Sequence, residues 1–339
     1  MRAAVLEEPG RLVVRDLPRP SGSVLVHVDQ AGVCGTDRKV VDGTTPVSLP
    51  RVIGHELVGR VLEAGDAAGA DAGLGQLRSG ARVLVDPSVS CGRCATCRRG
   101  QEHLCPNGGL MGREVDGGMA ELIAVPPGRL HVVPDGVDDD AAALLQVLGT
   151  CVHAQWQVQV LPVDHAVVVG LGVAGLLHVQ LLRARGAASV LGVGRSASKR
   201  ELAASLGATA TCTPEEAPAA VAELTGGAGA QVVIEAVGTG RTVDLAVELA
   251  GLGATVVVFG TVVGGRHALD FYELYRKELR LLNPRAARGR DYDDAVALVA
   301  SGQVSGRSLV SERLPLSKAP EVLAGWHGGS GRLKVVFEP

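Results

Sequence analysis

Four closely spaced cysteines form a dense group of metal-binding side chains. Cys91, Cys94, Cys97 and Cys105 follow the pattern C-x2-C-x2-C-x7-C in a polar, charged segment. Four thiolates this close can hold one tetrahedral zinc ion, and such a site leaves no position open for a substrate. Surface thiols or two disulfides are the alternative, but seven cysteines in a chain of this kind favour metal binding. The spacing therefore predicts a structural zinc site.

A second set of donors is spread over the first sixty residues. Cys34 begins the stretch Cys-Gly-Thr-Asp, and His55 and Glu56 follow Gly54. Each residue alone has an ordinary explanation, because a single Cys or His is usually packed in a core. Together they supply sulfur, nitrogen and oxygen donors, the mixture that zinc accepts when a fourth position stays open for water or substrate. They predict a catalytic zinc site.

A glycine-rich turn between a strand and a helix carries the third kind of chemistry. The turn contains Gly170, Gly172, Val173, Ala174 and Gly175. It follows the apolar strand at 167–169, and an apolar helix from Leu176 to Arg185 and a strand from Ser189 to Val193 come after it. The G-x-G-x-x-G spacing in such a βαβ unit predicts a dinucleotide site, with the pyrophosphate on the helix N-terminus.

The end of the next strand indicates which dinucleotide binds. An NAD site has an acidic residue about 20 positions beyond the glycines. Here the sequence is Gly194-Arg195-Ser196, and Lys199 and Arg200 follow. This segment has no carboxylate that would repel the 2′-phosphate of NADP(H). The planar guanidinium of an Arg can bind that phosphate. We predict NADP(H); Lys199 and Arg200 are alternatively the solvated start of a helix.

The elements that position these residues divide the chain in two. Residues 1 to about 65 alternate short apolar runs with Gly and Pro, which predicts a strand-rich region, and 66–80 is predicted as a surface loop. From about 163 to 283 strands and helices alternate, which predicts an α/β, doubly wound sheet inserted into the first domain. Its predicted strands are 167–169, 189–193, 209–212, 231–235, 254–259 and 279–282.

Composition excludes several other classes of protein. The 339 residues have a formal net charge of −3, which gives no reason to expect nucleic acid or an anionic membrane as partner. The N-terminus is too charged, and its apolar run too short, for a signal peptide. The expected protein is a cytoplasmic one that acts on a small molecule.

These motifs, in this order and spacing, resemble the zinc-dependent medium-chain alcohol and polyol dehydrogenases. The resemblance covers essentially the whole chain and implies a GroES-like catalytic domain at 1–149 and 284–339, with a Rossmann domain at 150–283. It implies that Cys34 and His55 bind zinc, that Glu56 ligates or flanks the metal, and that Thr36 passes the substrate proton. It also implies two zinc ions per chain and a homodimer or homotetramer.

Two positions depart from the usual family pattern. Gln146 stands where members place a Cys, Asp or Glu that binds the zinc or its water, so either Gln146 or Glu56 could complete the site. Lys39 stands where many members have the last His of the proton relay; it is alternatively a solvated surface lysine. Both departures resemble the glucose dehydrogenase branch. The same resemblance implies that Thr150 lies beside the nicotinamide and Lys334 near the pyrophosphate; each residue alternatively has a purely structural role.

The resulting hypothesis is hydride transfer between NADP(H) and a secondary alcohol or ketone, such as a sugar, polyol or cyclitol. Zinc would polarise the substrate oxygen. A zinc-free quinone or enoyl reductase is the alternative enzyme, although it would not need Cys34, His55 or the four cysteines. A non-catalytic nucleotide- or metal-sensing protein is the other alternative, and only Gln146 and Lys39 favour it.

Overall fold

A computed structural model describes residues 1–22, 24–64, 77–262, 267–325 and 332–339. Most of the predicted loop at 66–80 lies outside these residues. The described chain forms two compact units. The first unit comprises 1–149, 287–300 and 306–339, and the second comprises 150–286 and 301–305. The return to the first unit thus comes three residues later than the sequence predicts. None of the described helices has the length and hydropathy needed to cross a membrane.

The strands follow one another along the described chain in this order. They are β1 (Arg2–Glu8), β2 (Arg11–Asp16), β3 (Val24–Gly32), β4 (Arg51–Val52), β5 (Glu56–Ala64), β6 (Arg82–Val85), β7 (Ser88–Val89), β8 (Gly109–Leu110), β9 (Leu122–Val125), β10 (Leu130–Val132), β11 (His165–Val169), β12 (Ser189–Val193), β13 (Ala210–Cys212), β14 (Ala230–Glu235), β15 (Ala250–Val258), β16 (Arg280–Leu282), β17 (Val310–Pro315) and β18 (Lys334–Glu338).

The helices are interleaved with these strands. They are α1 (Gly35–Val41), α2 (Ala95–Arg98), α3 (Asp139–Ala142), α4 (Leu145–Gln155), α5 (Val173–Ala184), α6 (Ala197–Ser205), α7 (Ala217–Thr225), α8 (Gly240–Leu249), α9 (Phe271–Arg276), α10 (Gly289–Ala300) and α11 (Ala319–Ala324). Short 3-10 turns occupy Glu102–Leu104, Pro127–Arg129 and Leu316–Lys318.

The first unit is built on sheets whose strand pairs are antiparallel, except that β17 and β18 run parallel. Its main sheet has the order β10-β6-β5-β3-β18-β17, with β9 also paired to β3, and a smaller sheet has the order β2-β1-β4. Alternating apolar residues of β3 and β5 pack into one core, whose largest members include Leu57 and Phe337. The pairing of β3 with β5 sets Gly32 opposite Glu56. This register brings the residue after β3 close to the start of β5.

The second unit contains a six-stranded parallel sheet in the order β13-β12-β11-β14-β15-β16. The central strands are rich in valine and almost completely buried, as expected when helices cover both faces of a sheet. The strand order reverses between β11 and β14, and ligands of such sheets bind at the carboxyl ends of the strands on either side of this point. The fold is therefore the predicted Rossmann type.

A buried histidine in α5 makes the stability of the second unit sensitive to pH. His178 is fully buried, and its Nδ1 lies 3.1 Å from the Gln155 amide nitrogen. Burial lowers the pKa of His178 to about 3, whereas an unfolded chain keeps it near 6.5. At pH values between these two pKa values, the unfolded state therefore binds a proton that the folded state does not bind. We expect the free energy of unfolding to fall by about 2 kcal/mol from pH 7.5 to pH 5 for this residue alone.

Urea denaturation at several pH values measures this loss. The control is His178→Gln, which cannot titrate in this range and should show a flatter pH dependence than the wild-type chain. Equal slopes for the two proteins would show that His178 does not cause the effect.

Candidate functional site

The first unit brings three donor residues into one cluster. The Cys34 Sγ, one His55 ring nitrogen and one Glu56 carboxylate oxygen all lie within 4.8 Å of one another. Cys34 is the N-cap residue of α1, two residues after β3, whereas His55 directly precedes β5 and Glu56 begins it. The sequence predicted these three residues as partners. The β3–β5 pairing explains how residues twenty positions apart meet.

A carboxylate behind the cluster fixes the histidine. Asp37 is buried, and its Oδ1 lies 3.2 Å from the His55 Nδ1. Its Oδ2 accepts a hydrogen bond from the Cys34 backbone N–H at 2.9 Å. Burial opposes protonation of His55, but the Asp37 charge raises the pKa of His55 well above its usual value. A Nδ1–H directed at Asp37 leaves Nε2 free to bind a metal.

Sequence reasoning missed Asp37 as a functional residue. The available signal was its place in Cys-Gly-Thr-Asp, three residues after a candidate ligand.

Glu56 forms a buried ion pair with Lys334. The Lys334 Nζ donates to the Glu56 Oε2 at 2.5 Å and to the Val33 carbonyl at 3.1 Å. Both charged side chains are almost fully buried. A side chain on Gly32 would lie 2.5 Å from the same oxygen, so only glycine fits there. The family resemblance implies a place near the pyrophosphate for Lys334, and the structure shows its ammonium paired with a metal-ligand candidate.

The cluster has the chemistry of a zinc site. The Glu56 Oε1 is buried and has no hydrogen-bond partner in the described part of the chain. An unpaired buried carboxylate oxygen is costly unless a cation or proton compensates it. Sulfur, nitrogen and oxygen donors within 4.8 Å are the ligands that zinc accepts. The residues present therefore fit a zinc ion.

The other residues predicted for this site occupy the same unit. Thr36 and Lys39 lie half-buried in α1, and no side-chain bond ties Lys39 to another described residue. Gln146 is buried near the start of α4, where its Nε2 donates to the Tyr292 hydroxyl at 3.4 Å. Thr150 is half-buried in the same helix and belongs to the second unit.

The four cysteines converge as their spacing predicts. Their sulfur atoms lie within 4.8 Å of one another, and all four side chains are partly exposed. Cys94 caps α2 and accepts the Cys97 N–H at 3.4 Å, and the Cys105 sulfur accepts the Cys91 N–H at the same distance. Backbone N–H groups of Arg93 and Cys94 lower the pKa of Cys91 to about 6. N–H donors around sulfur stabilise the thiolate form that binds zinc.

The glycine turn of the second unit has an anion-binding shape. Gly170 has a φ of +101°, which favours glycine. A side chain on Gly175 would lie 1.8 Å from the Gly170 carbonyl oxygen, so the helix can pack this close only with glycine. Gly172 is the N-cap of α5 and faces open space. Free N–H groups at the start of α5 therefore point to a place that a pyrophosphate can occupy.

The loop after β12 contains the residues predicted to select the cofactor. Gly194 is buried against Leu171, and Arg195 and Ser196 are exposed. Arg200 donates to the backbone carbonyls of Gly194 and Arg195 at 2.8 and 3.0 Å. Arg200 therefore braces the loop, while the Arg195 guanidinium is available to a ligand.

The fold and the donor cluster together define a zinc-type, dinucleotide-dependent oxidoreductase. Sequence family models agree: "Alcohol dehydrogenase GroES-like domain" matches residues 20–135, and "Zinc-binding dehydrogenase" matches 173–301. The chain belongs to the zinc-dependent medium-chain dehydrogenase/reductase family.

Two relatives and one solved structure cover 94% or more of this chain. L-galactonate-5-dehydrogenase of Escherichia coli strain K12 is 30% identical over 95% of this chain and 94% of its own length. The 2-dehydro-3-deoxy-L-galactonate 5-dehydrogenase of Pseudoalteromonas atlantica is 31% identical over 94% of this chain and 92% of its own. A zinc-binding dehydrogenase of Sinorhizobium meliloti 1021, solved with bound NADP, is 35% identical with a TM-score of 0.91, covering 100% of this chain and 99% of that one.

Proposed function

We propose that this protein is a zinc-dependent oxidoreductase that transfers hydride between NADP(H) and a secondary alcohol or ketone of a sugar, polyol or cyclitol. One observation carries the proposal: Cys34, His55 and Glu56 meet in a largely buried cluster, and the Glu56 Oε1 has no hydrogen-bond partner among the described residues. A zinc-free quinone or enoyl reductase would have no use for this cluster. The relatives that act on sugar acids support a polyhydroxylated substrate.

The residues of the first unit have distinct roles in this proposal. Cys34, His55 and Glu56 or Gln146 hold the catalytic zinc, which polarises the substrate oxygen and lowers its pKa when bound. Asp37 keeps the His55 ring in the orientation that presents Nε2. Thr36 passes the released proton outward, and Lys39 lies in the same helix as a second polar group. The four cysteines hold a second zinc that supports their lobe.

The residues of the second unit hold the dinucleotide. The glycine turn and the first N–H groups of α5 would bind the pyrophosphate of a dinucleotide, which would supply the hydride acceptor for alcohol oxidation. Arg195 and Ser196 bind the 2′-phosphate. Thr150 lies beside the nicotinamide in this proposal. We also propose a cytoplasmic homodimer or homotetramer, by analogy with the family.

A substrate screen tests the reaction directly. Reduction of NADP+ is followed at alkaline pH with sugars, sugar acids, polyols, cyclitols and simple alcohols, and zinc content is determined on the same sample. We expect polyhydroxylated substrates to give higher kcat/KM than simple alcohols. A preference for simple alcohols contradicts the substrate class, and the absence of any turnover contradicts the proposed activity.

Arg195→Ala tests the choice of cofactor. The wild-type chain should use NADPH with a higher kcat/KM than NADH. Because a charge-assisted bond to phosphate contributes about 1.5–3 kcal/mol, the variant should lower the NADPH/NADH ratio by about 10- to 100-fold. Arg276→Ala, which removes an exposed partner of Glu273 in α9, is a matched control that should leave the ratio unchanged. A wild-type ratio at or below one contradicts the prediction.

A further inference from the structure

A buried carboxylate ends the strand that neighbours the glycine turn. Glu235 is the last residue of β14 and is completely buried. β14 pairs with β11, the strand that leads into the glycine turn, and the strand order of the sheet reverses between them. Ligands of such sheets bind at the carboxyl ends of the strands on either side of this point. Glu235 therefore lies at the edge of the sheet where a dinucleotide would bind.

One oxygen of this carboxylate fixes the loop that follows β14. The Glu235 Oε1 accepts hydrogen bonds from the backbone N–H groups of Val237 and Gly238 and from the Thr242 hydroxyl, each at 2.8 Å. Thr242 lies in the first turn of α8. The three bonds therefore tie the loop to the start of this helix, and the shape of the loop depends on the carboxylate.

The same loop packs against the glycine turn. The Ala236 N–H donates to the Val169 carbonyl at 2.8 Å. A side chain on Gly170 would lie 2.5 Å from the Val237 Cγ2, and Val237 is half exposed beside this turn. A change in the shape of the loop would therefore alter the surface that borders the proposed pyrophosphate site.

The loop after β15 closes over the same carboxylate. The Glu235 backbone carbonyl accepts the N–H groups of Phe259 and Gly260 at 2.9 and 3.0 Å. A side chain on Gly260 would lie 2.7 Å from the Glu235 Oε2, so this close approach requires glycine. The Oε2 has no hydrogen-bond partner among the described residues. Because an unpaired buried carboxylate oxygen is costly, stability alone does not explain a glutamate at this position.

We propose that Glu235 is a positioning residue that holds the loops after β14 and β15 in the shape that accepts the dinucleotide. This inference rests on the proposed function, in which the second unit binds NADP(H). Because the carboxylate is completely buried, it acts through these loops. The role requires a hydrogen-bond acceptor at the position of Oε1, and a neutral amide oxygen can also accept these bonds.

Binding of NADPH to a set of full-length variants tests this role without a substrate. The dissociation constant is measured by NADPH fluorescence for each protein, at a temperature below its unfolding transition. We expect Glu235→Ala to weaken binding about tenfold or more, because all three bonds to Oε1 are lost. Glu235→Gln keeps an acceptor oxygen and should stay within about threefold of the wild-type value. Thr242→Val removes one of the three bonds, leaves the carboxylate in place and should give an intermediate loss.

The matched control is Val232→Ala, three residues earlier in β14. It removes buried methyl groups and so destabilises the same sheet. Thermal unfolding measures this destabilisation, and the affinity of the control for NADPH should stay within about twofold of the wild-type value.

Three results would overturn the inference while the proposed function stands. They are unchanged NADPH affinity in Glu235→Ala, an equal loss of affinity in Val232→Ala, and a Glu235→Gln protein that binds as weakly as Glu235→Ala. If Glu235→Ala does not fold, wild-type affinity in Thr242→Val has the same meaning. A wild-type chain that binds neither NADPH nor NADH contradicts the proposed function and this inference with it.

Discussion

His55→Ala should leave the chain with one zinc ion instead of two and lower kcat/KM for NADP+-dependent alcohol oxidation by roughly 10³-fold. The imidazole is the nitrogen donor of the cluster, and its Nδ1 faces Asp37. Removing it leaves only the Cys34 thiolate and a carboxylate already paired with Lys334. The expected loss corresponds to several kcal/mol of stabilisation that zinc gives to developing charge on the substrate oxygen.

The matched control for this variant is His27→Ala. His27 lies in the same unit, is about half exposed and pairs with Asp29 on the surface. It should keep both zinc ions and full turnover. Elemental analysis and initial rates measure the two effects together. A His55→Ala protein that retains two zinc ions and near-normal turnover would contradict the assignment of this cluster.

Lys334→Met should lower the free energy of unfolding by about 3–5 kcal/mol. The Lys334 ammonium and the Glu56 carboxylate are almost fully buried, and removing one partner leaves the other charge without compensation. Glu56 and Cys34 raise the pKa of Lys334 against the opposing effect of burial. The stabilisation is therefore fully present below the unfolded-state pKa of about 10.4 and is lost as the pH rises through the higher folded-state value. Urea denaturation at pH 7 measures the loss.

Two further variants distinguish the effect of breaking the ion pair from the effect of removing a lysine side chain. Adding Glu56→Gln to Lys334→Met removes both charges and should recover much of the stability. Lys318→Met removes an exposed partner of Glu321 and should leave the free energy of unfolding nearly unchanged, because solvent screens such a surface pair. Lys334→Met with wild-type stability, or a double variant less stable than the single one, would contradict the view that the ion pair is responsible.

The second unit was the easier part of the fold to predict. Its strands are short valine-rich runs bounded by glycine, and predicted and observed ranges coincide at β12 and differ by one or two residues at β11 and β14. β15 begins at Ala250, four residues earlier than predicted, because Ala250 pairs with Ala230 of β14 ahead of an irregularity that contains two glycines, which have low strand propensity. The apolar run that leads into this unit forms two helices, α3 and α4, and no proline or glycine marks the break at 143–144.

The candidate site likewise has residues that could be predicted from the sequence and residues that could not. Ligands in compact motifs, such as the four cysteines and His55-Glu56, could be predicted because spacing alone restricts their chemistry. Lys334 lies 278 positions from Glu56, and only the pairing of β18 with β3 brings it beside that carboxylate. The contact of Tyr292 with Gln146 has the same origin, since its sequence separation is 146 residues. Neither contact leaves a local pattern in the sequence.

The most direct test of the central claim is a metal-reconstitution assay of NADP+ reduction with polyhydroxylated substrates. The purified chain is assayed as isolated, after mild chelation and after addition of zinc. The proposal predicts turnover that disappears with loss of one zinc per chain and returns when that zinc is restored. Turnover that is unchanged in the chelated protein would contradict it.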